Sequence, residues 1–443
     1  MKHGITPLIF ATIRSKYEWV KFLLEKDADP NQATMGGRTA LSFSCTIYHT
    51  AITCLLIEHG GNLQQTDEKG RNLLLQTIAD RTSGSYGIVC LLIDKKVSFA
   101  TSDVDGKTAL HFAATHGDAE LFDLFCESCA PYKSDNLGET PLGSAVKNNH
   151  YHIVYRILED STITSEELHP HLIEACLKGF LRIAKLLVDY GAEPEDENEA
   201  GFTPLIAACT LENWATILWL VDDIAVPVNR LNRHSLTAIN YVCFKRHHRL
   251  IPLLKELGAN LDHDHSGNGT PLFIMCGQER YEVAEALLKN GANPDGKGPQ
   301  EFTPLMVSCV RGRKDLVKLL LSHGAQVDLV NTRAQTALIL CCQRGLVDCA
   351  RLLIEHGSSL SLKTDEGLSA LHYASVNGFS PLVKVLVQAG ASVNELGPQK
   401  CTPLLLACRQ GRLKTVQALV KLGANISAAT EYHLTPIACA RYY

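Results

Sequence analysis

The chain has 443 residues, with 42 Lys and Arg against 47 Asp and Glu, and 46% of its residues are hydrophobic; this is the balance of a folded protein and excludes disorder as the dominant state. A formal net charge of −5 and a pI near 6.4 supply no overall positive field, which argues against broad binding to nucleic acid or to an anionic membrane. No run reaches the ~18 apolar residues needed to cross a bilayer, the stretch from Ile88 to Ile93 being core-sized, so no membrane insertion is expected.

The opening from Met1 to Leu8 contains Pro7, is soon closed by Arg14 and offers no small-residue cleavage site; it does not read as a secretory signal. Sixteen cysteines without an export signal point to reduced thiols in the cytoplasm or nucleus. From there the chain repeats. A Thr-Pro-Leu or Thr-Ala-Leu triplet, or a variant of it, anchors units at Thr6, Thr39, Asn72, Thr108, Thr140, Pro170, Thr203, Thr237, Thr270, Thr303, Thr336, Ser369, Thr402 and Thr435, and from Thr237 onward every interval is 33 residues. Each anchor is an N-cap for a first short helix, and a following Pro suits the first helical position because its missing N–H needs no partner.

Nine residues past the anchor stands Gly117, Gly179, Gly312, Gly345, Gly378 or Gly411, a turn into a second helix. That helix carries apolar residues 13, 14, 16 and 17 past the anchor, as in Leu316, Val317, Leu319 and Leu320, or Leu121, Phe122, Leu124 and Phe125; this is the spacing of one buried helical face. A glycine 21 past the anchor, such as Gly324 or Gly357, ends the second helix, and an Asp/Gly-rich segment turns back to the next anchor.

The pattern resembles the ankyrin repeat, as Gly106-Lys107-Thr108-Ala109-Leu110-His111-Phe112-Ala113 and Gly367-Leu368-Ser369-Ala370-Leu371-His372-Tyr373-Ala374 show most closely. The resemblance covers essentially the whole chain and implies an all-α solenoid of stacked helix-turn-helix units with β-hairpin-like loops. Two stretches are expected within one continuous solenoid: 1–160, whose spacing turns irregular with intervals of 36, 32 and 30 residues after Asn72, and the regular array 161–443. The chain begins five residues before its first anchor and stops at Tyr443 inside a first helix, which reads as a fragment of a longer protein.

The resemblance also implies a non-catalytic scaffold that binds a partner protein or peptide through a concave groove and the loop tips. The alternative is the substrate-recognition part of a larger protein, a ubiquitin ligase adaptor, a kinase or a channel, with its active domain outside this chain. Loop asparagines such as Asn31 and Asn394 are, by the same resemblance, candidates for hydroxylation.

No cofactor, metal or small-molecule substrate is expected. Cys45, Cys176, Cys209, Cys243, Cys276, Cys309, Cys342 and Cys408 share one repeat phase, six past the anchor, where Ala114 and Ser375 stand in other units; this is a small buried slot, not a thiol site. Asp262-His263-Asp264-His265 falls in a loop and reads as turn chemistry. Cys126 and Cys129 have no second pair to complete a zinc site, and Gly106-Lys107-Thr108 lacks the upstream glycine of a phosphate loop. Nothing sets a catalytic trio in place, so no enzyme is expected.

Charge marks the candidate partner site. Arg230, Arg233, Lys245, Arg246 and Arg249 cluster with His234, His247 and His248, while five acids crowd Glu193 to Glu199. Basic residues seven to nine past the anchor, Lys147, Lys178, Lys245, Arg246, Arg311, Arg344 and Arg409, would line one edge of the groove and favour an acidic peptide; nucleic acid is the less favoured partner. Phe202, Phe302 and Tyr432, expected to be exposed in the loops, are candidate anchors. Trp19, Trp214 and Trp219 fall in second-helix phases and are expected in the core.

Overall fold

A computed structural model describes residues 4–79, 85–126, 133–159, 163–264 and 267–442. The chain divides into two compact units, Met1–Asn198 and Glu199–Tyr443. In the first unit, six helix pairs follow one another: Pro7–Ile13 with Tyr17–Glu25, Ala40–Thr46 with Thr50–Glu58, Leu73–Ala79 with Tyr86–Asp94, Ala109–His116 with Ala119–Cys126, Pro141–Lys147 with Tyr151–Glu159, and Ser165–Lys178 with Leu181–Asp189. The second unit begins with Pro204–Thr210 and Trp214–Leu218, continues through Ala238–Lys245 with Leu250–Glu256, Pro271–Gly277 with Tyr281–Lys289, Pro304–Val310 with Lys314–Ser322, Ala337–Arg344 with Val347–Glu355, Ala370–Val376 with Ser380–Gln388, and Pro403–Arg409 with Leu413–Lys421, and ends in Pro436–Tyr442. Within each unit, first helices pack on first helices of the neighbouring pair and second helices largely on second.

The anchors act as caps. Thr303 Oγ1 accepts the Met306 amide at 3.2 Å and Thr6 Oγ1 accepts that of Ile9 at 3.1 Å, each answering one of the orphan amides at a helix start. At Pro170 the structure differs from the expectation. Thr164 and Glu167 form a capping box that starts the helix at Ser165, so Pro170 lies inside a 14-residue helix. The amide bond it cannot donate falls on an exposed stretch, where water can take the freed carbonyl.

The turn nine past the anchor is left-handed in every regular unit. Gly312 and Gly345 have φ of 71° and 80°, but Glu212, Arg246 and Glu279 occupy the same phase at 57°, 65° and 62°. Geometry imposed by the helix pair therefore overrides the local preference for glycine. The 34-residue interval between Thr203 and Thr237 is absorbed in the second helix, where Trp219–Asp223 forms a π turn, the usual way a helix houses one extra residue.

Among the described residues the loops contain no strand; single antiparallel bridges join Ser102 to Thr108 and Lys363 to Ser369. Successive loops are tied instead by backbone bonds such as Val104 N–H to Lys69 O at 2.9 Å and Thr332 N–H to Gln300 O at 3.1 Å. Asn31 Nδ2 donates to Gly60 O at 3.0 Å while its Oδ1 accepts from Asn62 N–H at 2.7 Å, and Asn394 makes the same pair of bonds to Gly423 and Asn425.

The core runs through the helix pairs. Leu316, Val317, Leu319 and Leu320 are all buried, as are Leu121, Phe122 and Phe125, while Leu124 is half-buried. The eight cysteines of the shared phase are buried and free. Of the three tryptophans only Trp219 is core, 6% exposed; Trp19 is 70% and Trp214 42% exposed. Trp19 stands 13 past its anchor, a phase that faces the preceding pair, and no pair lies on that side of Pro7–Ile13 among the described residues. Trp214 stands 11 past its anchor, on the outward ridge of the second helix. Among the described residues no helix is long and apolar enough to cross a membrane.

Candidate interaction surface

The basic row splits between the two units. In Met1–Asn198 its members are engaged: Lys147 pairs with Glu139, and Lys178 lies 3.3 Å from Glu174 while donating to Lys147 O at 2.8 Å. In Glu199–Tyr443, Lys245 and Arg344 end first helices and Arg246 and Arg311 cap them, while Arg409 closes the helix Pro403–Arg409. All five are exposed, and none has a carboxylate partner among the described residues. Their neighbour Arg313 is fully used, by Glu279 at 2.6 Å and Asp315 at 2.8 Å; those contacts raise the guanidinium's affinity for its proton and hold the Asp315 carboxyl below its usual range.

Composition follows the same split. Residues 1–198 contain 18 basic and 27 acidic side chains, whereas 199–443 contain 24 and 20, so a net charge of −9 stands against one of +4. The excess is concentrated late, with fifteen basic against eight acidic residues in 303–443.

The cluster from Arg230 to Arg249 is not one surface. Arg233 and His234 sit exposed on the turn after Asn232, with Arg233 Nη1 donating to Glu199 O at 3.0 Å and the His234 amide donating to Asn232 Oδ1. His247 is half-buried, 3.1 Å from Glu212 and 2.9 Å from Thr210 O, a joint between helix pairs. The loop phenylalanines are half-buried rather than exposed: Phe202 packs on Tyr241 with ring centroids 5.3 Å apart, and Phe302 lies against the turn begun by Pro299. Tyr432 is exposed.

The sequence pattern concealed a cleft between loop residues and first helices. A cleft of about 390 Å³ is lined by Arg333, Gln343, Glu366 and Tyr373. Tyr373 donates its hydroxyl to Glu366 at 3.0 Å, and burial, with that carboxylate beside it, raises the phenol's pKa. Tyr373 stands four past its anchor, a phase that also holds Phe10, Phe43, Phe112 and Tyr241, so the sequence did not single it out; its place in the cleft follows from the loop residues Arg333 and Glu366 beside it.

Buried polar groups serve the fold. His372 Nδ1 faces Ser369 Oγ at 2.8 Å and its Nε2 faces Cys401 O at 3.3 Å; His111 makes the same two contacts to Thr108 and Glu139. Burial lowers the pKa of both imidazoles, which keeps them neutral. The slot thiols are inert for the same reason: burial pushes Cys209 and Cys243 up to about 12. Among the described residues no three metal-ligating side chains come together; His265 and Cys129, parts of two sequence candidates, lie outside the described residues.

The family model described as Ankyrin repeats (3 copies) matches residues 8–100, 77–167, 295–364 and 357–430, more than half of the chain. The chain is 30% identical over 217 residues to Ankyrin repeat and SOCS box protein 16 of Homo sapiens, a match covering 46% of this chain and 47% of that protein. It is 29% identical over 161 residues to Palmitoyltransferase AKR1 of Lachancea kluyveri, covering 35% of this chain and 22% of that one. With B-cell lymphoma 3 protein homolog of Mus musculus it shares 28% over 209 residues, 46% of this chain and 39% of the relative. The chain thus spans less than half the length of each of these relatives.

Proposed function

Because the chain belongs to the ankyrin repeat family, whose repeats form protein-interaction domains and in general perform no chemistry of their own, we propose that it is a non-catalytic scaffold that holds an acidic protein or peptide along the groove of its second unit. The observation that carries this reading is that Lys245, Arg246, Arg311, Arg344 and Arg409, at the ends of successive or near-successive first helices, are exposed with no carboxylate partner among the described residues. An exposed cation with no carboxylate of its own gains from an incoming one without first losing a partner. Arg233 and His234 extend the charge to the loop tips, with Phe202 and Phe302 offering partly covered aromatic edges beside them. Specificity comes from phases that differ between units, because the repeating ones are used up in packing.

The test is a titration with a fluorescent glutamate-rich peptide at two salt concentrations. Arg311→Glu with Arg344→Glu is expected to weaken binding tenfold or more and to flatten its salt dependence; unchanged affinity would remove the groove edge from the reading. A second reading, recognition on behalf of a larger protein, is favoured by the partial coverage of the relatives, two of which are named for a SOCS box and a palmitoyltransferase. Sequencing the full transcript decides it.

A further inference from the structure

The second helices of Glu199–Tyr443 present a surface that neither the groove nor the core uses. The phase 15 past the anchor reads Leu218, Pro252, Glu285, Lys318, Arg351, Lys384 and Gln417 in consecutive repeats, and six of these seven side chains are exposed. It is an outward ridge whose chemistry changes along its length. At one end Trp214 and Leu218, 42% and 39% exposed, stand one turn apart on the second helix of the Thr203 unit. At the other end Lys318, Arg351 and Lys384 occupy successive helices that pack on one another, with no carboxylate partner among the described residues. Asp315 on the Lys318 helix pairs with Arg313, and on the Arg351 helix Asp348 lies 3.9 Å from Lys314 while Glu355 forms no ion pair among the described residues. Between the two ends lies an open cleft of about 790 Å³, lined by Tyr281, Glu282, Glu285, Arg313, Asp315 and Lys318 among others.

We propose that this ridge is a second docking surface, separate from the groove, for an acidic protein segment that seats an apolar or aromatic side chain against Trp214 and Leu218 and lays its carboxylates along Lys318, Arg351 and Lys384. The proposal does not rest on the groove reading. Charge selects the partner: three unpaired cations in register with the repeat attract carboxylates, and the apolar end rewards a buried anchor, where aromatic and aliphatic side chains contribute most. A polyphosphate backbone fits less well, because it has no apolar group for the Trp214 end. With helices packing about 8–10 Å apart, three repeat steps from Leu218 to Lys318 span on the order of 30 Å. An extended segment at ~3.3 Å per residue needs about nine residues between anchor and acidic block.

The experiment selects phage-displayed random 20-residue peptides on the full chain and counter-selects them on Lys318→Glu with Arg351→Glu and Lys384→Glu. The surviving pool is expected to be rich in Asp and Glu with an aromatic or aliphatic anchor about nine residues away. A synthetic member should lose at least tenfold in affinity on the triple variant and at least fivefold on Trp214→Ser with Leu218→Ser, and hold its affinity on Arg311→Glu with Arg344→Glu. All variants change exposed residues, and coincident melting curves confirm that they fold. Peptides that ignore both ridge variants, or that respond only to the Arg311 and Arg344 pair, overturn the proposal. So does a 20-base-pair DNA duplex or a phosphatidylserine vesicle that binds the full chain more tightly than the selected peptide and is released by the triple variant.

Discussion

Met1–Asn198 and Glu199–Tyr443 are built from the same helix pair, yet they differ in what they leave over. In the first, intervals vary and cations such as Lys147 and Lys178 are paired with neighbours of the same unit. In the second, the 33-residue register is kept from Thr237 onward, and Arg311, Arg344, Lys318, Arg351 and Lys384 have no carboxylate partner among the described residues. The difference teaches that packing and recognition draw on separate phases of one repeat. Irregular loops do not loosen the core, since Phe122, Phe125, Ile153 and Val154 are as fully buried as Leu316 and Leu320. Charge at outward phases is free to vary, because burial of the helix faces does not depend on it.

The largest effect that could break this comparison is in the cores. Phe122→Ala in the first unit is expected to cost about 3–5 kcal/mol and Leu320→Ala in the second about 2–5 kcal/mol, read from urea midpoints. A cost far below this for Phe122 alone would mean that irregular spacing does leave the first unit loosely packed.

Acid is the next probe. His111 and His171 in the first unit and His372 in the second have imidazole pKa values lowered from 6.5, burial being the first cause in each. A base whose folded value is depressed binds its proton more readily in the unfolded chain. Its contribution to stability is therefore complete above 6.5 and is lost as pH falls from there through the folded value. Melting followed from pH 7.5 to 5 is expected to decline, and His372→Gln should flatten the part of the decline that this residue causes; an unchanged pH profile in that variant would separate His372 from the effect.

Turns give a smaller contrast. Gly345→Ala is expected to cost roughly 1–2 kcal/mol, because φ there is 80° and an added Cβ would approach the Phe379 ring to 2.7 Å. Ser15→Gly, at the same phase of the first unit, is expected to stabilise by up to about 1 kcal/mol, relieving a left-handed serine with φ of 52°. The smallest effect is on the surface. Arg311→Glu with Arg344→Glu should move stability by less than about 0.5 kcal/mol for each residue while sharply weakening an acidic ligand. A large loss of melting temperature would show these arginines to be structural.

The anchors, the two helices per unit, the buried cysteine phase and the ankyrin family were legible in the residues, because each depends on contacts made within one unit or between identical neighbours. Thr303 caps a helix wherever it is read, and Cys309 fills a small slot whose size its counterparts in other units already state. Other features followed from placement across units. Pro170 lost its role as anchor to Thr164, since a capping box outweighs a proline that solvent can accommodate. Trp19 and Trp214 left the core because one repeat phase is buried only when a preceding pair covers it, and another is never fully buried among the described residues. Local sequence determined what each helix pair is; which side chains remain free to meet a partner was decided by tertiary structure, because exposure and ion pairing depend on neighbours about thirty-three residues away.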